Sequence, residues 1–151
     1  MTLGFKLGRR LLAAVAVDGE DITFCDSRFV APRRDRLERG IPKYLDRVLS
    51  QIKPSAVFYY APTSPHSVTE NLIGLLNQAA GRNGLIPLPL TKHDIFGSFG
   101  LVPLRTRQQL RECLMSFVPQ LAEGKPPRQV AVAEAAATAL VGEVRCVFRD
   151  P

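Results

Sequence analysis

The sequence predicts an α/β domain: a mixed five-stranded sheet, an antiparallel meander followed by parallel strands, covered by helices. Three observations predict it. Three short β-prone runs at the start of the chain are joined by tight turns. Two more β-prone runs, Ala56–Tyr60 and Leu85–Leu90, alternate with segments of helical periodicity, the arrangement of strands linked by helical crossovers. The chain has 151 residues, which suits one domain spanning its whole length and buries roughly 70% of the unfolded surface without staples.

Each element has its own reason. Leu3–Leu7 reads as a short strand, and Gly8 permits a turn. Leu11–Val17 is apolar on both faces and reads as a buried strand. Asp18-Gly19 is a two-residue hairpin signal, and Ile22–Val30 follows as the third strand. From Asp35 to Ile52 the apolar residues keep helical spacing, with Pro42 either opening the main helix or kinking it, and Lys53-Pro54 ending it. Ala56–Tyr60 has the length and composition of a buried parallel strand. Ser67-Val68-Thr69-Glu70 spells a capping box for the next helix, which Gly81 or Gly84 ends. Pro87 and Pro89 each remove a ladder donor, which places Leu85–Leu90 at a sheet edge. Thr91–Pro103 reads as a long loop around Phe96 and Phe99, and Thr106–Gln109 as a second capping box. After a linker at 123–127, Gln129–Gly142 is an alanine-rich helix able to approach a sheet closely, and Val144–Phe148 reads as a short final strand.

Composition narrows the function classes. Hydrophobic residues make up 46% and charged residues 23%, ordinary values for a globular protein. No run of ~18 apolar residues exists, so no membrane-spanning helix and no membrane partner are expected. Lys6, Arg9 and Arg10 precede an apolar run, as in a secretory leader, but Asp18-Gly19-Glu20-Asp21 follows without a small-residue cleavage site; the expectation is a cytoplasmic protein. Cys25, Cys113 and Cys146 make neither a disulfide framework nor a zinc spacing, which fits free thiols in a reducing compartment. The net charge of +6 and pI near 9.7 favour an acidic partner such as nucleic acid; solubility alone is the competing explanation.

The order of elements resembles the ribonuclease H-like superfamily, and three short motifs are similar to its RuvC-type Holliday-junction resolvase branch. Leu3-Gly4-Phe5-Lys6-Leu7-Gly8 resembles that branch's first strand, which runs Gly-hydrophobic-Asp-x-Gly. Lys53–Tyr60 resembles its fourth strand, which ends in a catalytic glutamate, and Ala131–Leu140 its closing helix, which carries aspartates among alanines. The resemblance implies a site where acids from these three elements hold two divalent metal ions for phosphodiester cleavage. Here the first-strand aspartate position is Lys6 and the fourth-strand glutamate position is Tyr60; only Glu134 keeps a carboxylate. One carboxylate does not hold two hard cations, and a lysine repels a cation at ~4 Å. The resemblance therefore implies a degenerate site of Lys6, Tyr60 and Glu134, without catalysis, metal or cofactor.

Lys6 and Glu134 either pair, tying sheet to helix, or face solvent separately. Arg9, Arg10, Lys92, Arg105 and Arg107 form the predicted nucleic-acid-binding group, drawn from the first turn and the loop that holds Phe96 and Phe99. Those phenylalanines either meet bases or plug the core. A second basic set, Arg33, Arg34, Arg36, Arg39, Lys43 and Arg47, stands against Asp35, Glu38 and Asp46; it either tracks phosphates or is a solvated helix face. His66 and His93 lie in loops at no metal or nucleophile spacing, and no phosphate-cradling glycine loop is present. The leading expectation is a non-catalytic domain that binds structured DNA or RNA through basic loops. The alternatives are a protein-interaction or homodimeric scaffold module, and a metal-dependent nuclease with the displaced acids Asp26, Glu70 and Glu134.

Overall fold

The computed structural model describes residues 1–30, 40–64, 66–98, 107–117 and 126–149. They form β1 (Thr2–Leu7), β2 (Leu11–Asp18), β3 (Asp21–Phe29), α1 (Gly40–Ile52), β4 (Ala56–Tyr60), α2 (Ser67–Arg82), β5 (Leu88–Leu90), α3 (Lys92–Ser98), α4 (Arg107–Phe117) and α5 (Pro126–Arg149). The strands make one mixed sheet in the order β3-β2-β1-β4-β5. β1 lies at the centre, antiparallel to β2 and parallel to β4, and β5 extends the parallel side. This is the sheet the sequence predicts, with the proline-bearing strand at its edge.

Side-chain alternation sends the strands' apolar residues to two cores. Leu3, Phe5, Leu7, Leu12, Ala14, Ala16 and Val57 pack beneath α1 and α2. α1 supplies Ile41, Tyr44, Leu45, Val48 and Leu49, one stripe at helical spacing. On the other face Ala13, Val15, Val17, Phe58 and Tyr60 pack against α3, α4 and the alanines of α5. That face is built for close approach. A Cβ on Gly4 would lie 2.5 Å from the Ala139 nitrogen and 2.6 Å from the Ala135 oxygen, so α5 rests backbone-to-backbone on the centre of β1. Any larger residue at Gly4 would force the helix off the sheet.

Several local expectations are corrected. The first hairpin loop is Gly19–Glu20, between the paired Asp18 and Asp21, one residue later than the Asp18-Gly19 signal implies. α2 is capped by His66 rather than Ser67: the His66 Nδ1 accepts from the Val68 amide at 3.2 Å, and the Thr69 hydroxyl donates to the His66 carbonyl. An imidazole nitrogen reaches the same orphan amide a serine oxygen would. The start of the expected long loop is helical as α3, because Asp94 Oδ2 accepts from both the amide and hydroxyl of Thr91 and closes a first turn. Val144–Phe148 is the end of α5, not a strand; Glu143 bonds Thr2 and the Gly19 amide, and Arg145 pairs with Asp94 at 3.0 Å, which hold the helix past Gly142. Arg33, Arg34, Arg36, Arg39, Asp35, Glu38, Phe99, Arg105, Thr106 and most of the 123–127 linker lie outside the described residues.

Candidate nucleic-acid interface

β1 and β4 run side by side, and Lys6 is the register partner of Tyr60 at their carboxyl ends. Both side chains point to the α5 face, where Glu134 meets them from the helix. The Lys6 ammonium lies 3.1 Å from Glu134 Oε2 and 4.2 Å from the centre of the Tyr60 ring. Three residues 54 and 74 positions apart in sequence thus converge on one point. The glutamate side chain is 1% exposed and the lysine side chain 17%. One turn along α5, the buried Thr138 hydroxyl donates to the Glu134 carbonyl.

A cleft of about 680 Å³ opens over this trio. Its walls include Arg9 and Arg10 from the β1–β2 turn, Lys92 from the start of α3, and Thr63, Ser64, His66 and Thr69 from the β4–α2 connection and first turn. The turn is fixed: the Gly8 amide donates to the Leu11 carbonyl at 2.9 Å, and a Cβ at Gly8 would stand 2.7 Å from that same oxygen. The Val30 amide donates to the Arg10 carbonyl at 2.8 Å and ties the turn to the end of β3. Lys92 Nζ lies 5.2 Å from the centre of the Phe96 ring. Phe96 is buried in the core. Among the described lining residues, Lys6, Arg9, Arg10 and Lys92 stand against the single carboxylate of Glu134. A concave, cationic, low-dielectric wall concentrates anions.

The fold is that of a known solved structure. The chain superposes on the "Thermus thermophilus RuvC structure" with a TM-score of 0.76 and 16% identity, covering 98% of this chain and 96% of that one. The chain has a RuvC-type, ribonuclease H-like fold. The structure titled "T. thermophilus RuvC in complex with Holliday junction substrate" gives a TM-score of 0.74 at 16% identity, over 97% and 95% of the two chains. No protein-family profile matches the sequence, and no curated protein matches it.

On this RuvC-type frame the positions that the resemblance assigns to metal-binding acids are the three that converge. They do not fit a pair of divalent ions. An ammonium already lies 3.1 Å from the one carboxylate, and the third group is a phenol. Among the described residues no three His, Cys, Asp or Glu side chains gather as a metal site. Nor do the displaced acids meet. Asp26 sits on the α1 face, where its Oδ2 accepts from the Tyr44 hydroxyl at 2.9 Å, while Glu70 is exposed on α2. His93 is exposed on α3. Of the predicted binding group, Arg9, Arg10 and Lys92 reach the cleft; Arg105 and the Arg107 side chain lie outside what is described.

Sequence reasoning missed the arrangement around Tyr44. Arg28 of β3 and Arg47 of α1 lie 4.7 and 5.5 Å from the centre of its ring. Burial, then the Asp26 carboxylate and its hydrogen bond, push the Tyr44 hydroxyl above its ordinary range, so it remains a protonated donor. Strand parity held the signal: Phe24, Asp26 and Arg28 share a face, and that face meets α1.

Proposed function

We propose that this protein is a non-catalytic RuvC-like domain that binds structured nucleic acid in the cleft at the carboxyl ends of β1 and β4. The observation that carries the reading is the position of Lys6. Its ammonium sits beside Glu134 and over Tyr60, at the point from which the resembled enzymes would direct metal ions at a phosphodiester. A fixed positive charge there attracts a phosphate but supplies neither an activated water nor a Lewis acid. The rim adds Arg9, Arg10 and Lys92, and the RuvC-type fold and the net charge of +6 support an acidic polymer as the ligand. Ligands of open α/β sheets lie at this end of the strands, which supports the same placement. The whole chain is read as one such domain, working in the cytoplasm.

The test is electrophoretic retardation of a four-way junction and a linear duplex, in magnesium, by wild type and by Arg9→Glu/Arg10→Glu. Retardation without cleavage is expected, with binding weakened by the charge reversal and its salt dependence flattened. Turnover that disappears in Glu134→Ala would overturn the non-catalytic reading, and unchanged affinity in the reversal variant would remove the cleft as the surface.

A further inference from the structure

We infer that Arg28 and Arg47, held on the Tyr44 ring, form a second phosphate-binding site that takes the same nucleic-acid strand after it leaves the cleft. This inference rests on the cleft reading and lengthens its footprint. The two guanidiniums belong to different elements, β3 and α1, yet share one buried ring, which holds their central carbons within about 10 Å of each other. Both side chains are exposed. Among the described residues no carboxylate lies within ion-pair distance of either; the described ion pairs are Lys6–Glu134, Arg82–Asp46 and Arg145–Asp94. Asp26, on the same face of β3 as Arg28, accepts from the Tyr44 hydroxyl and the Ser27 amide and makes no ion pair with either arginine.

Among the described residues two cations meet one carboxylate, Asp26, around this ring, which leaves a net positive charge that an anion would balance. A guanidinium lying over an aromatic ring keeps N–H donors on its outer side for an oxyanion. A phosphodiester has the charge and the paired oxygens such donors take.

Placement links this pair to the cleft. Arg28 is the register partner of Leu12, and Leu12 of Leu7, so the pair sits at the same end of the sheet as Lys6, two strand spacings or about 10 Å from β1. The β1–β2 turn carrying Arg9 and Arg10 lies between, bonded to the end of β3 through Val30. Cations therefore run from the cleft, over the turn, to the α1 face. A strand threading the cleft meets the arginine pair only if it is long enough to cross the turn.

The experiment measures fluorescence anisotropy of labelled single strands of about 4 and about 16 nucleotides, the range of ordinary strand-site sizes. The whole protein is used as wild type, Arg28→Gln/Arg47→Gln and Arg9→Ala/Arg10→Ala, with circular dichroism to confirm that each is folded. Glutamine retains stem packing on Tyr44 and removes the charge. The arginine-pair variant should bind the long strand about tenfold more weakly, with a salt slope lower by about 0.7, and bind the short strand as wild type does. The turn variant should weaken both lengths. Unchanged long-strand affinity, or equal losses at both lengths, in the arginine-pair variant overturns the second site. A turn variant that binds both lengths like wild type overturns the cleft reading while leaving the pair's own result standing. Wild type that retains neither strand at low salt overturns both.

Discussion

The two faces of the sheet solve different problems. Beneath α1 and α2 the contact is made of bulk: Leu3, Phe5, Leu7, Leu45, Leu49, Leu72 and Leu76 are buried and fill the space between sheet and helices. Beneath α5 it is made of nearness, with Gly4 against the helix backbone, a row of buried alanines, and a Lys6–Glu134 ion pair in the middle. Apolar volume stabilises the first face. The second gives up volume at Gly4, so that a helix lies close enough to carry one carboxylate to the carboxyl end of β1. The difference teaches where to look for function: a fold needs the first kind of face, whereas a buried charge pair at a cleft floor is retained at a desolvation cost.

Substitutions can break or sharpen this contrast. The largest effect should come from Phe5→Ala, which leaves a cavity on the bulky face and costs about 3–5 kcal/mol by urea denaturation. A loss under about 1 kcal/mol would mean that this face does not dominate stability. Next is Lys6→Met, which takes the ammonium away from the buried Glu134 carboxylate and costs on the order of 3 kcal/mol; Lys6→Met/Glu134→Leu should recover most of it. If the double variant is as unstable as the sum of its parts, the two groups do not act as a pair. Gly4→Ala comes third. Elsewhere in a strand such a change is neutral or stabilising, but here the added methyl meets helix backbone and should cost about 1–3 kcal/mol, read from thermal midpoints.

The smallest effect concerns Asp94, which joins α3 to α5. The Thr91 amide and hydroxyl, followed by Arg145, hold its carboxyl below the ordinary range. A depressed carboxyl stabilises the fold above its unfolded value, about 3.9, and loses that contribution as pH falls through its lower folded value. Asp94→Asn should therefore be less stable than wild type by under about 1 kcal/mol at neutral pH, with the gap closing below about pH 4. A gap that widens in acid would contradict the assignment.

Much of this was legible in the chain. The tight turns, the two-faced apolar run at Leu11–Val17 and the prolines of the last strand specified a meander, a buried strand and an edge strand, because each constrains the backbone through local chemistry. The convergence of Lys6, Tyr60 and Glu134 was legible only through the resemblance, since no spacing rule joins two strands and a distant helix. The cap at His66 was hidden because serine and glutamate in the next positions spelled a stronger signal. The continuation of α5 past Gly142 was hidden because β-prone residues there are overruled by tertiary bonds of Glu143 and Arg145. The arginine pair on Tyr44 was invisible for the same reason: its partners meet only once β3 and α1 are packed together.

The central claim is that an ammonium holds the place from which a metal ion would act. Electron paramagnetic resonance of free manganese, titrated with wild type and with Lys6→Asp/Tyr60→Glu, tests it most directly. The account expects the free-ion signal to stay unchanged with wild type and to fall with the double variant, which supplies three clustered carboxylates. Two manganese ions bound by wild type, and released by Glu134→Ala, would contradict it.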